Sequence, residues 1–153
     1  GWNVKMKIGI GNDHSALALK AEIVEFLKVK GHEVVDYGTY TTDSCDYPVY
    51  GEKVARAVVA GEVEKGILIC GTGLGVSIAA NKVKGAYAAL VSDVYSATRA
   101  RLSNDANIVC MGAFTTGAKV REMLVDAFFT NEFVAGCSSQ PKVDAFREYD
   151  QNR

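Results

Sequence analysis

The chain has no apolar run approaching the length of a membrane span and no signal-peptide pattern at its start, so neither a membrane segment nor a secretory route is expected. It has almost no net charge: 17 Lys and Arg face 18 Asp and Glu, which argues against a nucleic-acid surface. None of the four cysteines, Cys45, Cys70, Cys110 and Cys137, forms a C-x-x-C pair, and only His14 and His32 could add imidazoles. No metal site is expected from such a set. The cysteine spacing is not that of a disulfide scaffold, and 153 residues can bury a core without one. A reduced, cytoplasmic protein is expected. No repeat, low-complexity tract or linker divides the chain, so residues 6–153 read as one domain. Residues 1–5 read as an extension or tag remnant, because Met6-Lys7-Ile8 opens the first strand.

What is present is alternation. Short apolar runs at 8–10, 34–35, 67–70, 86–91 and 108–111 are separated by segments of helical period. Most of the runs lack in/out alternation, as strands buried on both faces should. Leu19, Ile23, Phe26 and Leu27 mark a first helix that Gly31 stops. Pro48 opens a second helix, with Val54, Val58 and Val59 as its apolar face. A third runs from the glycine loop to about Asn81 and a fourth covers 95–102. A fifth carries Val120, Met123, Leu124, Ala127 and Phe128 on one stripe, and a weaker one covers 142–149. This order predicts an α/β fold: a single Rossmann-like domain with a five-stranded parallel sheet and helices on both faces. Ligands bind such sheets outside the carboxyl ends of the strands. Those ends carry Asn12-Asp13-His14, Asp36-Tyr37, residues 70–75, Ser92-Asp93 and Gly112, with the long polar loop 38–47 placed to lie over the same rim.

The stretch 67–77, ILICGTGLGVS, carries the chemistry. It places a thiol, Cys70, at the end of a buried strand and the mouth of a glycine turn, where backbone N–H groups can face an anion. A helix N-terminus there can lower a thiol pKa toward neutrality. A base of that kind beside preorganised donors suits proton transfer next to a carbonyl. A buried, inert cysteine is the competing reading of Cys70; Gly71, Thr72, Gly73 and Gly75 favour function, because backbone without Cβ admits a ligand closely. Cys110, inside an apolar strand, reads as core. A dinucleotide loop with Asp93 as ribose acid is a further reading, but Val76 stands at the last glycine position of that fingerprint and the loop follows the third strand. Asp13 is either a helix cap beside an exposed His14, or the pair grips a hydroxyl and an anion. Asp46-Tyr47 are turn residues, or the tyrosine reaches over the site. Arg99, Arg101, Ser103, Asn104 and Asp105 close a helix, where arginines favour the dipole in any case.

Four segments together resemble the ribose-5-phosphate isomerase B family, which includes the galactose-6-phosphate isomerase subunits: residues 8–14, IGIGNDH; Asp46-Tyr47-Pro48; residues 69–82, ICGTGLGVSIAANK; and Asn104-Asp105-Ala106-Asn107. The resemblance covers 6–149. It implies a Rossmann-type fold and aldose–ketose isomerisation of a sugar phosphate through a cis-enediolate, without metal or cofactor. It also implies a homodimer, or a dimer of dimers, whose sites are shared between subunits. It assigns Cys70 as base, Thr72 to proton movement between oxygens, and Asp13 to the sugar ring or a hydroxyl. The backbone of Gly71, Gly73 and Gly75 would hold the enediolate oxygen. His14, Tyr47, Ser77, Arg101, Ser103, Asn104 and Lys142 are the expected substrate-binding residues, with Asn104 reaching in from the second subunit and no nucleic acid or membrane as partner.

Three departures stand out. Ser103 replaces a histidine common before Asn-Asp and linked to ring opening, and a serine does not titrate near neutrality. Phe114 stands near an arginine common after Met-Gly. Cys137 and Lys142 fall where two arginines usually grip phosphate, so the bidentate fork is gone. Arg99 and Arg101 are the expected replacements for the lost charge. Ribose 5-phosphate is the expected substrate. The alternatives are another sugar, such as a hexose or tetrose phosphate, a binding homologue without turnover, or a nucleotide-binding domain.

Overall fold

The computed structural model describes residues 4–153; residues 1–3 of the expected extension lie outside the described residues. Five strands, β1 (Lys7–Asn12), β2 (Glu33–Asp36), β3 (Lys65–Cys70), β4 (Ala88–Leu90) and β5 (Ile108–Gly112), form one sheet in the order β2-β1-β3-β5-β4. Every pairing is parallel, with Ile10 opposite Ile67 and Cys70 opposite Gly112. Six helices connect and flank them: α1 (Leu17–Val29), α2 (Tyr47–Val59), α3 (Leu74–Ala80), α4 (Val94–Leu102), α5 (Ala118–Phe129) and α6 (Gln140–Gln151). The expected fold class and order of elements are those found.

Side-chain alternation sorts the sheet into two core layers. Ile8, Ile10, Ile67, Ile69, Val109 and Met111 face α1, α4 and α5, meeting Ile23, Leu27, Ala97, Leu124 and Phe128. Leu68, Cys70, Ile108 and Cys110 face the other way, onto Val54 and Val58 of α2 and Val76 of α3. A Cβ on Gly11 or Gly66 would lie 2.7 or 2.6 Å from a Val54 methyl, so side-chain-free positions let α2 approach the sheet. β1, β3 and β5 are almost wholly buried, which explains their unbroken apolar sequence.

The connections have local causes. Asp13 caps a 3-10 turn over His14–Ala16 ahead of α1 by accepting from the Ser15 N–H. Gly31, at φ 91°, ends α1, and the N–H of His32 bonds back to the Leu27 carbonyl. Pro48 occupies the first turn of α2, where a missing N–H costs no helical bond. α6 buries only Val143 and is held by polar contacts: Asp150 accepts from the Gly85 N–H (2.7 Å) and the Tyr87 hydroxyl (3.0 Å), and Arg147 pairs with Asp105 (2.5 Å).

Candidate active site

From β1 the chain moves outward to β2, then crosses back to place β3 on the other side of β1. The connections leaving β1 and β3 therefore diverge at the carboxyl ends of the strands, the place where sheets of this topology leave a crevice. Asn12-Asp13-His14 and Cys70-Gly71-Thr72 border it.

Cys70 is the last residue of β3 and 5% exposed. Its Sγ accepts the Gly73 N–H at 3.1 Å, so the sulfur is tied to the turn that follows it. Gly73 turns the chain at φ 81°, a conformation that favours glycine. Thr72 is exposed, and its Oγ1 accepts the Leu74 N–H at 3.2 Å. Two aromatic rings bracket this loop. A Cβ on Gly75 would lie 2.3 Å from the Tyr47 ring, and one on Gly71 would lie 3.1 Å from the Phe114 ring. The strand exit that carries Phe114 is bound to the loop, Ala113 N–H to the Cys70 carbonyl (2.8 Å) and Phe114 N–H to that of Gly71 (2.9 Å).

Across the cleft, Asp13 accepts from the Ser15 N–H (3.0 Å) and hydroxyl (2.5 Å), which fixes its carboxylate. His14 Nδ1 accepts the backbone N–H of Cys45 at 3.3 Å, and the Cys45 Sγ lies 3.7 Å from the same nitrogen. With Nδ1 accepting, the neutral ring carries its proton on Nε2. Cys45 belongs to the long loop, which is secured at its start by buried Lys20: its ammonium binds Asp36 at 3.1 Å and donates to the Thr39 carbonyl. The loop thus brings Cys45 to His14 and Tyr47 to Gly75. Ser77 is 8% exposed and donates its hydroxyl to the Leu74 carbonyl (2.7 Å), within the first turns of α3.

Arg101, Ser103, Asn104 and Lys142 are not at this rim. α4 runs back from the end of β4, so its last residues fall where the strands begin. Arg101 shares a cavity of about 520 Å³ with Lys65, the first residue of β3. Asn104 borders a smaller one with Val143, the neighbour of Lys142 on α6. A six-residue strand spans roughly 20 Å, so one chain cannot bring these residues to its own Cys70. The expectation for Arg101 needs correction. It is 5% exposed, and its guanidinium donates to the carbonyls of Ala106 (2.5 Å) and Asn131 (3.3 Å) and to Asp105 (3.1 Å). It also lies 5.7 Å from the Phe128 ring centroid. Its charge joins α4 to α5 and β5 rather than facing the cleft. Arg99 donates to the Ser103 hydroxyl (2.7 Å).

Cys110 is fully buried, and burial together with the nearby Cys70 thiol pushes its own thiol far up. Asp93, the acid of the dinucleotide reading, accepts from the Ser96 N–H (2.7 Å) and hydroxyl (2.8 Å), which holds its carboxyl below the usual range. Its role is the cap of α4. Among the described residues no three His, Cys, Asp or Glu side chains are grouped to hold a metal ion. Sequence reasoning missed the contact of Cys45 with His14, whereas the bond from the Ser15 N–H to Asp13 is the helix cap that was one of the two readings of that residue. No periodicity marks a loop residue that meets another loop.

Comparison with known proteins places these features in context. The family described as Ribose/Galactose Isomerase matches residues 8–146. Over 147 residues the chain is 44% identical to the Escherichia coli protein named ribose-5-phosphate isomerase B, covering 96% of this chain and 98% of that one. It is 40% identical to the Pectobacterium atrosepticum protein named D-erythrulose-4-phosphate isomerase, covering 95% of each. A solved structure of Clostridium thermocellum ribose-5-phosphate isomerase B superposes with a TM-score of 0.93 at 47% identity, covering 96% of this chain and 99% of that one.

Proposed function

This chain belongs to the ribose/galactose isomerase family and is an aldose–ketose isomerase of sugar phosphates, and we propose that it converts ribose 5-phosphate to ribulose 5-phosphate with Cys70 as the base. The observation that carries this reading is the Cys70 sulfur, held by the Gly73 N–H at the open end of the switch-point cleft.

The thiolate of Cys70 takes the proton from C2 of the open-chain aldose. The C–H electron pair forms the C1–C2 double bond, and the C1 carbonyl oxygen becomes the enediolate oxygen. Thr72, exposed beside Cys70, passes the O2 proton to O1, and the Cys70 thiol returns its proton to C1. Thiolate, hydroxyl count and charge are restored. The Gly73 N–H already serves the sulfur, so the donors for the oxyanion are those of Gly71, Thr72 and Gly75. The Gly75 N–H lies in the first turn of α3, where donors have no intrahelical acceptor. Asp13, aimed by Ser15, takes a substrate hydroxyl. The His14 Nε2–H meets the anionic end.

The remaining residues imply a second copy. Asn104 and Lys142 lie at the opposite end of the sheet from Cys70, so a homodimer, alone or paired further, brings one protomer's Asn104 to the other's thiol. The setting that fits is cytoplasmic pentose phosphate metabolism. Turnover of ribose 5-phosphate, erythrose 4-phosphate and a hexose 6-phosphate, measured with EDTA present, tests the substrate. Ribose 5-phosphate is expected to lead. A kcat/KM higher by about tenfold on another sugar would move the assignment to that sugar. That is the second reading, motivated by Ser103, Phe114 and Cys137.

A further inference from the structure

The five segments that leave the carboxyl ends of the strands, residues 13–16, 37–46, 71–73, 91–93 and 113–117, contain no lysine or arginine. They contain Asp13, Asp43, Asp46 and Asp93, and their one imidazole is His14. Of the cations on the helices behind this rim, Lys119, in the first turn of α5, is exposed and pairs with Glu122 at 3.5 Å, and two more are bound within the fold. Lys20 holds Asp36 and the Thr39 carbonyl, and Arg121 donates to the Thr116 carbonyl and pairs with Glu22 at 3.6 Å. On this rim stands Phe114, 79% exposed. Its ring lies against Gly71, one residue from Cys70, and a Cβ on Gly71 would also lie 4.0 Å from the Ser15 Oγ of the Asp13 turn. Its backbone N–H bonds the Gly71 carbonyl at 2.9 Å, which holds its main chain beside the loop that follows Cys70.

Exposure does not single out Phe114, since Val29, Tyr95 and Tyr149 are similarly exposed; its place against the loop that follows Cys70 does. A ring face carries negative quadrupole charge and offers no hydrogen, so it attracts C–H groups and disfavours an anion. We propose that Phe114 is a specificity-determining residue: its ring forms an apolar wall over Gly71 that receives the C–H face of the sugar chain and turns the anionic end of the substrate away. This rests on the isomerase reading above and sharpens it. The phosphate is then left to the His14 side of the cleft and to cations from outside this protomer's rim. The favoured substrates are those whose carbon chain, rather than its phosphate, passes over Gly71.

The test uses the full chain and the variants Phe114→Arg and Phe114→Leu, with two readouts. The first is the Kd of inorganic phosphate by calorimetry. The second is the ratio of kcat/KM for ribose 5-phosphate to that for unphosphorylated ribose. Phe114→Arg is expected to tighten phosphate by at least about tenfold and to raise the ratio similarly, because a guanidinium fork replaces the wall. Phe114→Leu, which keeps the wall apolar, is expected to leave phosphate affinity near that of the unmodified chain. Unchanged phosphate affinity in Phe114→Arg overturns the proposal. So does a fall in both sugars by one factor, which is mere damage to the loop. If the unmodified chain turns over neither sugar, the ribose assignment fails, and the phosphate titration alone still decides the wall.

Discussion

Replacing Gly73 by alanine separates two costs that the structure assigns to the turn after Cys70. The first is backbone strain. Gly73 sits at φ 81°, where an L side chain costs roughly 1–2 kcal/mol, offset by about 0.4–1 kcal/mol from the stiffer unfolded chain. The second is overlap. The new Cβ would lie 2.6 Å from a Leu90 methyl, 2.8 Å from the Met111 carbonyl carbon and 3.0 Å from its oxygen. Leu90 can rotate, but Met111 is a fully buried residue of β5, so relief means moving a buried strand. Overpacking of that kind adds about 1–3 kcal/mol, for a total of roughly 2–4 kcal/mol. Gly61 is the control: its φ is 78°, and a Cβ there would meet nothing within 4 Å. Gly61→Ala should therefore cost about 1 kcal/mol or less. Urea unfolding of both variants reads the difference. If Gly73→Ala is no less stable than Gly61→Ala, the close seating of the loop on β5 is wrong.

Arg101→Ala should cost about 3 kcal/mol in urea unfolding, at the lower end for a broken buried pair because Asp105 keeps Arg147; a raised KM with unchanged stability would contradict its structural role. Cys110 should resist thiol reagents in the native chain while Cys45 and Cys137, both partly exposed, react; peptide mapping that finds Cys110 labelled as fast as Cys45 would refute this. Burial holds the His32 pKa below its usual 6.5, and its Nδ1 accepts the Met6 N–H at 2.9 Å. The unfolded chain therefore takes up that proton first, so this contribution is complete above pH 6.5 and is lost as pH falls below it. The urea midpoint should drop from pH 7.5 to 5.5 by less in His32→Gln than in the unmodified chain, and equal drops would exclude His32 as a source.

The buried strands were legible because burial on both faces leaves unbroken apolar runs, as in Ile67-Leu68-Ile69-Cys70. The helices showed through the stripe of Leu124 and Phe128 and through Gly31 and Pro48, whose backbones allow few alternatives. The glycine turn was legible as a place of close approach, though not what approaches: the rings over Gly71 and Gly75 come from Phe114 and Tyr47, some forty and thirty residues away in sequence. Arg101 was misread for a reason other than its location, because it shares the amino end of the sheet with Asn104, which a second copy can still use. Its guanidinium meets the Ala106 and Asn131 carbonyls, which no spacing rule announces. The Cys45–His14 contact was hidden likewise, because a loop's path depends on anchors such as Lys20 and Asp36 rather than on its own pattern.

Proton exchange at C2 of ribose 5-phosphate in deuterated water, compared between the unmodified chain and Cys70→Ala, tests the central claim most directly. The account predicts rapid exchange by the unmodified chain. It predicts a loss of at least about a hundredfold in the variant, with its urea midpoint showing the fold intact. Exchange that persists in folded Cys70→Ala at a rate close to the unmodified chain would contradict Cys70 as the base.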